Sequence, residues 1–188
     1  MPFSRRAAAA ALAMIGLAAC APLRSINYGM PYQPLTARSF LAWAGATGPV
    51  AVEVRDNPFQ APNQAVASAL AEAATGVVAG VPVAFTGNTA EAARPEWRVV
   101  YEFNAAPSTS SAAVCNPNSR VDRASGESLT LLIVFCNDTK PIIAASIWSG
   151  PVAGPGAPEF RQLAETSMRD LFPPESMGSD SPAMEFPD

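Results

Sequence analysis

The alternation of apolar and polar positions predicts most of the elements of this chain. Val50, Val52 and Val54 share one face of a short segment and Glu53 and Arg55 the other, the period-two pattern of a half-buried strand. Asn57-Pro58 stops it. Val66, Leu70, Ala73 and Val77 then recur at helical spacing, and Gly80 closes that alanine-rich helix. Val81 to Phe85 is a short edge strand by this reading, because Pro82 cannot donate to a sheet ladder. From Glu96 to Asn104 the alternation is clearest: Trp97, Val99, Tyr101 and Phe103 fall on one face, and Glu96, Arg98, Val100 and Glu102 on the other. Leu129 to Cys136 is apolar on both faces, as in a central strand. Ile142 to Trp148 follows across a short turn-like link, which suggests an antiparallel hairpin. A second helix starts at Pro158, with Phe160, Leu163, Ala164, Met168, Leu171 and Phe172 on its apolar side, and Pro173-Pro174 ends it.

The expected fold is therefore α+β, a two-layer sandwich. About five strands form a largely antiparallel sheet, and two helices cover one of its faces. Residues 49–172 form a single domain in this reading, and 173–188 a disordered, acidic C-terminal tail. The charged sheet face, with Glu53, Arg98 and Glu102, is left to water or to a partner. Residues 105–127 turn to Pro, Ser, Asn and Gly, too long a stretch for a simple hairpin turn.

The N-terminus has a different pattern. Arg5 and Arg6 precede the apolar run Ala7 to Leu17, which is too short to cross a bilayer as a helix, and small residues lead to Cys20. Leu17-Ala18-Ala19-Cys20 resembles the lipobox of bacterial lipoprotein precursors. That resemblance implies a signal peptide at 1–19, cleavage between Ala19 and Cys20, and acylation of the Cys20 sulfur and of the freed amine. Acylated Cys20 would hold the protein in membrane lipid, facing the periplasm. Ala21 stands where an aspartate favours retention in the inner membrane, so the outer membrane is the expected location. An ordinary secretory signal with a chance cysteine is the plainer alternative. Residues 20–48, with several prolines and glycines, are read as the lipidated N-terminus and a tether. Within them Phe40 and Trp43 lie three apart, on one face of a helical turn that either docks on the body or meets a partner or lipid headgroups. The body itself resembles, in architecture only, small α+β domains of envelope accessory lipoproteins.

Composition narrows the chemistry. Without residues 1–19 the chain keeps 10 basic and 16 acidic residues, a formal charge of 10 − 16 = −6. Such a chain lacks the clustered Lys and Arg that nucleic acid requires, and an acidic body is pushed off an anionic leaflet unless lipid holds it. With Cys20 committed to lipid, Cys115 and Cys136 remain as an even pair, expected as a structural disulfide in an oxidising compartment and contributing roughly 3 kcal/mol. There is no histidine, hence no Ser-His-Asp or Cys-His nucleophile and no His-based metal site. No cofactor or metal is expected. Glu53 and Glu102, with Arg55 and Arg98 nearby, are the remaining carboxylate candidates, more readily a solvated strand face than a catalytic pair. The glycines at 150, 154 and 156 are interrupted by prolines and lack a following Lys-Ser/Thr, and Ser108 to Ser111 reads as a solvated loop. These observations favour a non-catalytic module for protein interaction or assembly, with an envelope protein as partner. The alternative is a small-ligand binder or weak hydrolase on the charged face.

Overall fold

The computed structural model describes the backbone of residues 24–28 and all of 33–124 and 128–174. The segment expected as a signal peptide, the cleavage expected between Ala19 and Cys20, and residues 175–188, expected as a tail, lie outside the described residues. Among the described residues the fold is α+β, built on six strands in the order β1-β6-β5-β4-β2-β3. These are β1 (Arg24–Tyr28), β2 (Val50–Arg55), β3 (Phe85–Thr86), β4 (Trp97–Phe103), β5 (Leu129–Asn137) and β6 (Lys140–Ser149). The helices are α1 (Pro34–Ala44), α2 (Asn63–Ala74), α3 (Ser111–Cys115) and α4 (Pro158–Leu171).

The alternating segments pair as their patterns require. β5, apolar on both faces, lies between β4 and β6 and is antiparallel to both. β2 is parallel to both β3 and β4, because α2 carries the chain back across the sheet before the next strand begins. The sheet is thus mixed. β3 holds the edge position expected for it, but only Phe85 and Thr86 pair, past the proline. Gly87 follows, where an added Cβ would collide with the backbone of Ala67 and Ser68, so this turn seats against α2 only as glycine.

Valines of β2, alternate residues Trp97 to Phe103 of β4 and Leu131, Ile133 and Phe135 of β5 form one core with the apolar stripes of α2 and α4. Tyr101 is fully buried there; its hydroxyl donates to Ser167 Oγ at 3.1 Å, and Ser167 donates to the Ala164 carbonyl at 2.6 Å. Burial pushes the Tyr101 phenol up, so it remains a neutral donor.

Two expectations need correction. The segment read as a tether contributes β1, antiparallel to β6, and a three-turn helix α1 whose Ala37, Leu41 and Ala44 are buried in the core. The domain therefore begins by Arg24, not at residue 49, and α1 joins α2 and α4 against the same core. A scatter of proline and glycine hid it: Pro34 occupies the first helical turn and Gly45 caps the end, both helix punctuation. Second, the opposite sheet face is not simply hydrated. Val100, Leu132, Val134 and Ala144 pack there against Val114, Cys115 and Val121, a second, smaller core under a flap formed by residues 105–124.

Candidate functional site

The predicted charged face forms where β2 and β4 run side by side. Their parallel register sets Arg55 opposite Glu102 and Glu53 opposite Val100. Arg98 Nε lies 2.9 Å from Glu53 Oε2, and Arg55 Nε lies 3.2 Å from Glu102 Oε2. The rest of each guanidinium turns to the flap. Arg55 donates to the carbonyls of Val114 at 2.7 Å and Ser119 at 2.8 Å, and Arg98 donates to that of Cys115 at 2.8 Å. The last carbonyls of a five-residue helix have no helical partners, and two cationic forks from the sheet supply them. At the other end of α3, Ser110 Oγ accepts from the Ala113 amide at 3.2 Å, so one serine of the predicted solvated cluster is a helix cap. The Cys115–Cys136 disulfide then fastens α3 to β5. Sequence reasoning brought these charges to one face correctly, but that face is covered and the charges hold its cover.

Glu102 is the most constrained of the group, its side chain only 1% exposed. Burial pushes its carboxyl up to about 7 against the pull of Arg55, and a hydrogen bond with Asp56 pushes the same way. Asp56 is held below the ordinary carboxylate range, first by its hydrogen bond from Arg123. Glu102 Oε2 is buried without an aligned hydrogen bond, so retaining a proton relieves the cost of a charge there. Asp56 follows β2 with φ of 50°, a left-handed turn that Asp adopts more readily than most residues and that aims it at the flap. A cleft of about 430 Å³ lies beside it, lined by Arg55, Asp56, Asn63, Arg120 and Arg123. Glu102 is not in that lining. Asp56 and Arg123 were missed in the sequence, since their meeting depends on a flap whose path no periodicity records.

At the other end of the sheet, α1 settles the two fates considered for its aromatics. Phe40 docks, its ring 5.4 Å from that of Trp97. Trp43 packs edge-on to Trp97 at 5.6 Å, and the Arg94 guanidinium lies over its ring, 3.4 Å from the centroid. Trp43 is nevertheless 49% exposed and Leu35, on the same helix, 50%; among the described residues these are the exposed large hydrophobics. Arg38 secures the helix from behind, donating to the carbonyls of Phe172 and Ala79.

Among the described residues no group of three or more Cys, Asp or Glu side chains is placed to hold a metal ion, and no helix is long and apolar enough to cross a membrane. Compared with models of known protein families, with curated proteins and with solved structures, the chain matches none.

Proposed function

We propose that this chain is a lipid-anchored envelope lipoprotein, held through acylated Cys20 and facing the periplasm, whose domain is a non-catalytic module for protein interaction or assembly. The observation that carries the interaction reading is Trp43. An aromatic ring half in solvent yet held by Trp97 and by the Arg94 guanidinium is already ordered for contact, so little side-chain entropy remains to be lost on binding. Leu35 extends the apolar surface along the same helix. The anchor rests on the lipobox, and a disulfide-fastened flap suits the oxidising compartment that the anchor implies. The outer membrane is the favoured location because Ala21, not aspartate, follows Cys20. Ligand chemistry on the charged face is the weaker reading, since Arg55 and Arg98 spend their donors on the α3 carbonyls.

Site-specific crosslinking in intact cells tests this proposal. A photoreactive residue replacing Trp43 should trap a discrete envelope protein, and the same group at exposed Glu72 on α2 should not. Identical adduct patterns from the two positions would remove the support for an α1 interface. Cys20→Ser should abolish acyl labelling, and continued labelling would remove the anchor.

A further inference from the structure

The placement of β1 bears on how the domain sits on its membrane, given the acylated Cys20 of the reading above. Three residues, Ala21, Pro22 and Leu23, separate Cys20 from the first residue of β1. Four virtual bonds span at most about 14 Å, whatever the path. The polar layer of a leaflet is itself about 6 Å deep. The start of β1 therefore cannot stand off by more than a short distance, and the domain has no tether.

The ladders identify which end of the molecule is held there. Arg24 pairs with Trp148, and Thr130 faces Trp148 from the other side. Asn104 donates its amide to the Thr130 carbonyl, and Arg55 lies opposite Glu102. The anchored end is thus the one where β2, β4 and β6 finish and where α2 and α4 begin. Trp97, against which Trp43 packs, pairs with Asn137, seven residues along β5 from Thr130. At roughly 3.4 Å per residue the aromatic end is about 24 Å away.

The chemistry of the anchored end fits a lipid surface. Two loops meet there around a cleft of about 380 Å³ with Pro58, Phe59, Leu129, Pro151 and Val152 in its lining. No charged residue occurs from Asn57 to Ala71 or from Pro141 to Pro158, in a chain whose mature charge is negative. The charges at this end are Arg55, Asp56, Glu102, Arg120, Asp122 and Arg123 on the flap side, Arg24 at the start of β1, and Glu159 with Arg161 in the first turn of α4, of mixed sign and outside the two loops. Repulsion from anionic headgroups decays over about 8 Å at physiological salt, so the face that rests on a leaflet is best left uncharged.

We propose that loops 57–62 and 150–157 form a membrane-apposed face resting on the headgroup layer, with α1 and Trp43 presented outward. The test uses full-length acylated protein reconstituted alone into phosphatidylethanolamine/phosphatidylglycerol vesicles. A nitroxide label is placed at Ala153→Cys in the loop or at Ala42→Cys beside Trp43, and collision with a water-soluble nickel chelate is measured. Label at position 153 should be shielded several-fold relative to position 42. A long Gly/Ser insertion between Leu23 and Arg24 should restore its access while leaving the acyl group in place. Equal access at both positions in acylated protein overturns the apposed face but leaves the anchor intact. Shielding that persists after the insertion, or in unacylated Cys20→Ser protein free of vesicles, also overturns it, since protein rather than bilayer would then be the cover. Absence of acyl labelling overturns both readings.

Discussion

Glu102 illustrates how far a single side chain can depart from what its pattern suggests. Alternation along β4 places it on the polar face, and a carboxylate on such a face is normally hydrated. The flap instead buries it beside Arg55 and Asp56, raising its carboxyl from an ordinary 4.5 to about 7. The folded chain therefore binds a proton more readily than the unfolded chain between those values. Its contribution to stability is fully favourable below about pH 4.5 and is lost as pH rises through 7. Asp56 has the opposite sign, but its lowered value places that dependence at more acid pH. Glu102→Gln should flatten the decline between pH 4.5 and 7 and leave the protein more stable at pH 8, by up to roughly 3 kcal/mol. Denaturant unfolding across pH measures this, and an unaltered slope would mean that Glu102 is charged and well paired. Nothing in the residues around Glu102 announces the shift, because its causes are burial under a flap whose path is not periodic and Asp56 at the end of another strand.

At the scale of elements, α3 is too short to persist alone. It has a serine cap at one end, two arginine forks at the other and a disulfide to β5, and under it lies a small apolar core. The cysteine pair was legible in the sequence from count and from the compartment expected of a lipobox, whereas the helix was hidden in a Pro- and Ser-rich stretch without periodicity. Replacing Cys115→Ser together with Cys136→Ser should cost about 3 kcal/mol, the magnitude expected for a loop of this length. Thermal unfolding of the variant should match that of the native chain under reductant. If neither treatment lowers the transition, the flap is held by Arg55 and Arg98 alone.

For the whole molecule, the decisive revision is where the domain begins. Residues before 49 supply an edge strand and a helix, and Leu41, Ala37 and Ala44 are fully or almost fully buried. Removing α1 would also uncover Trp97. A chain beginning at Pro49 should therefore lose at least the 2–5 kcal/mol typical of deleting one large buried aliphatic side chain, whereas one beginning at Leu23 should not. Urea unfolding of the two soluble forms distinguishes them, and equal midpoints would restore the tether. Under the proposed Cys20 anchor, the same boundary would tie one end of the sheet to the bilayer and leave the aromatic end, with Trp43, facing away from it.

By itself the sequence determined the elements whose burial is periodic: the Val50, Trp97 and Leu129 strands, the Leu70 and Leu163 helices, the α+β class and the Cys115–Cys136 bond. It could do so because side-chain periods of 2 and 3.6 are local properties, and because two cysteines left as an even pair have few alternatives. Tertiary structure alone decided that β2 is parallel to β4, that α1 belongs to the core and that a flap covers Glu53, Arg98 and Glu102. Each of these depends on contacts between segments tens of residues apart, where the free energy lies in surfaces that meet only once the chain has folded.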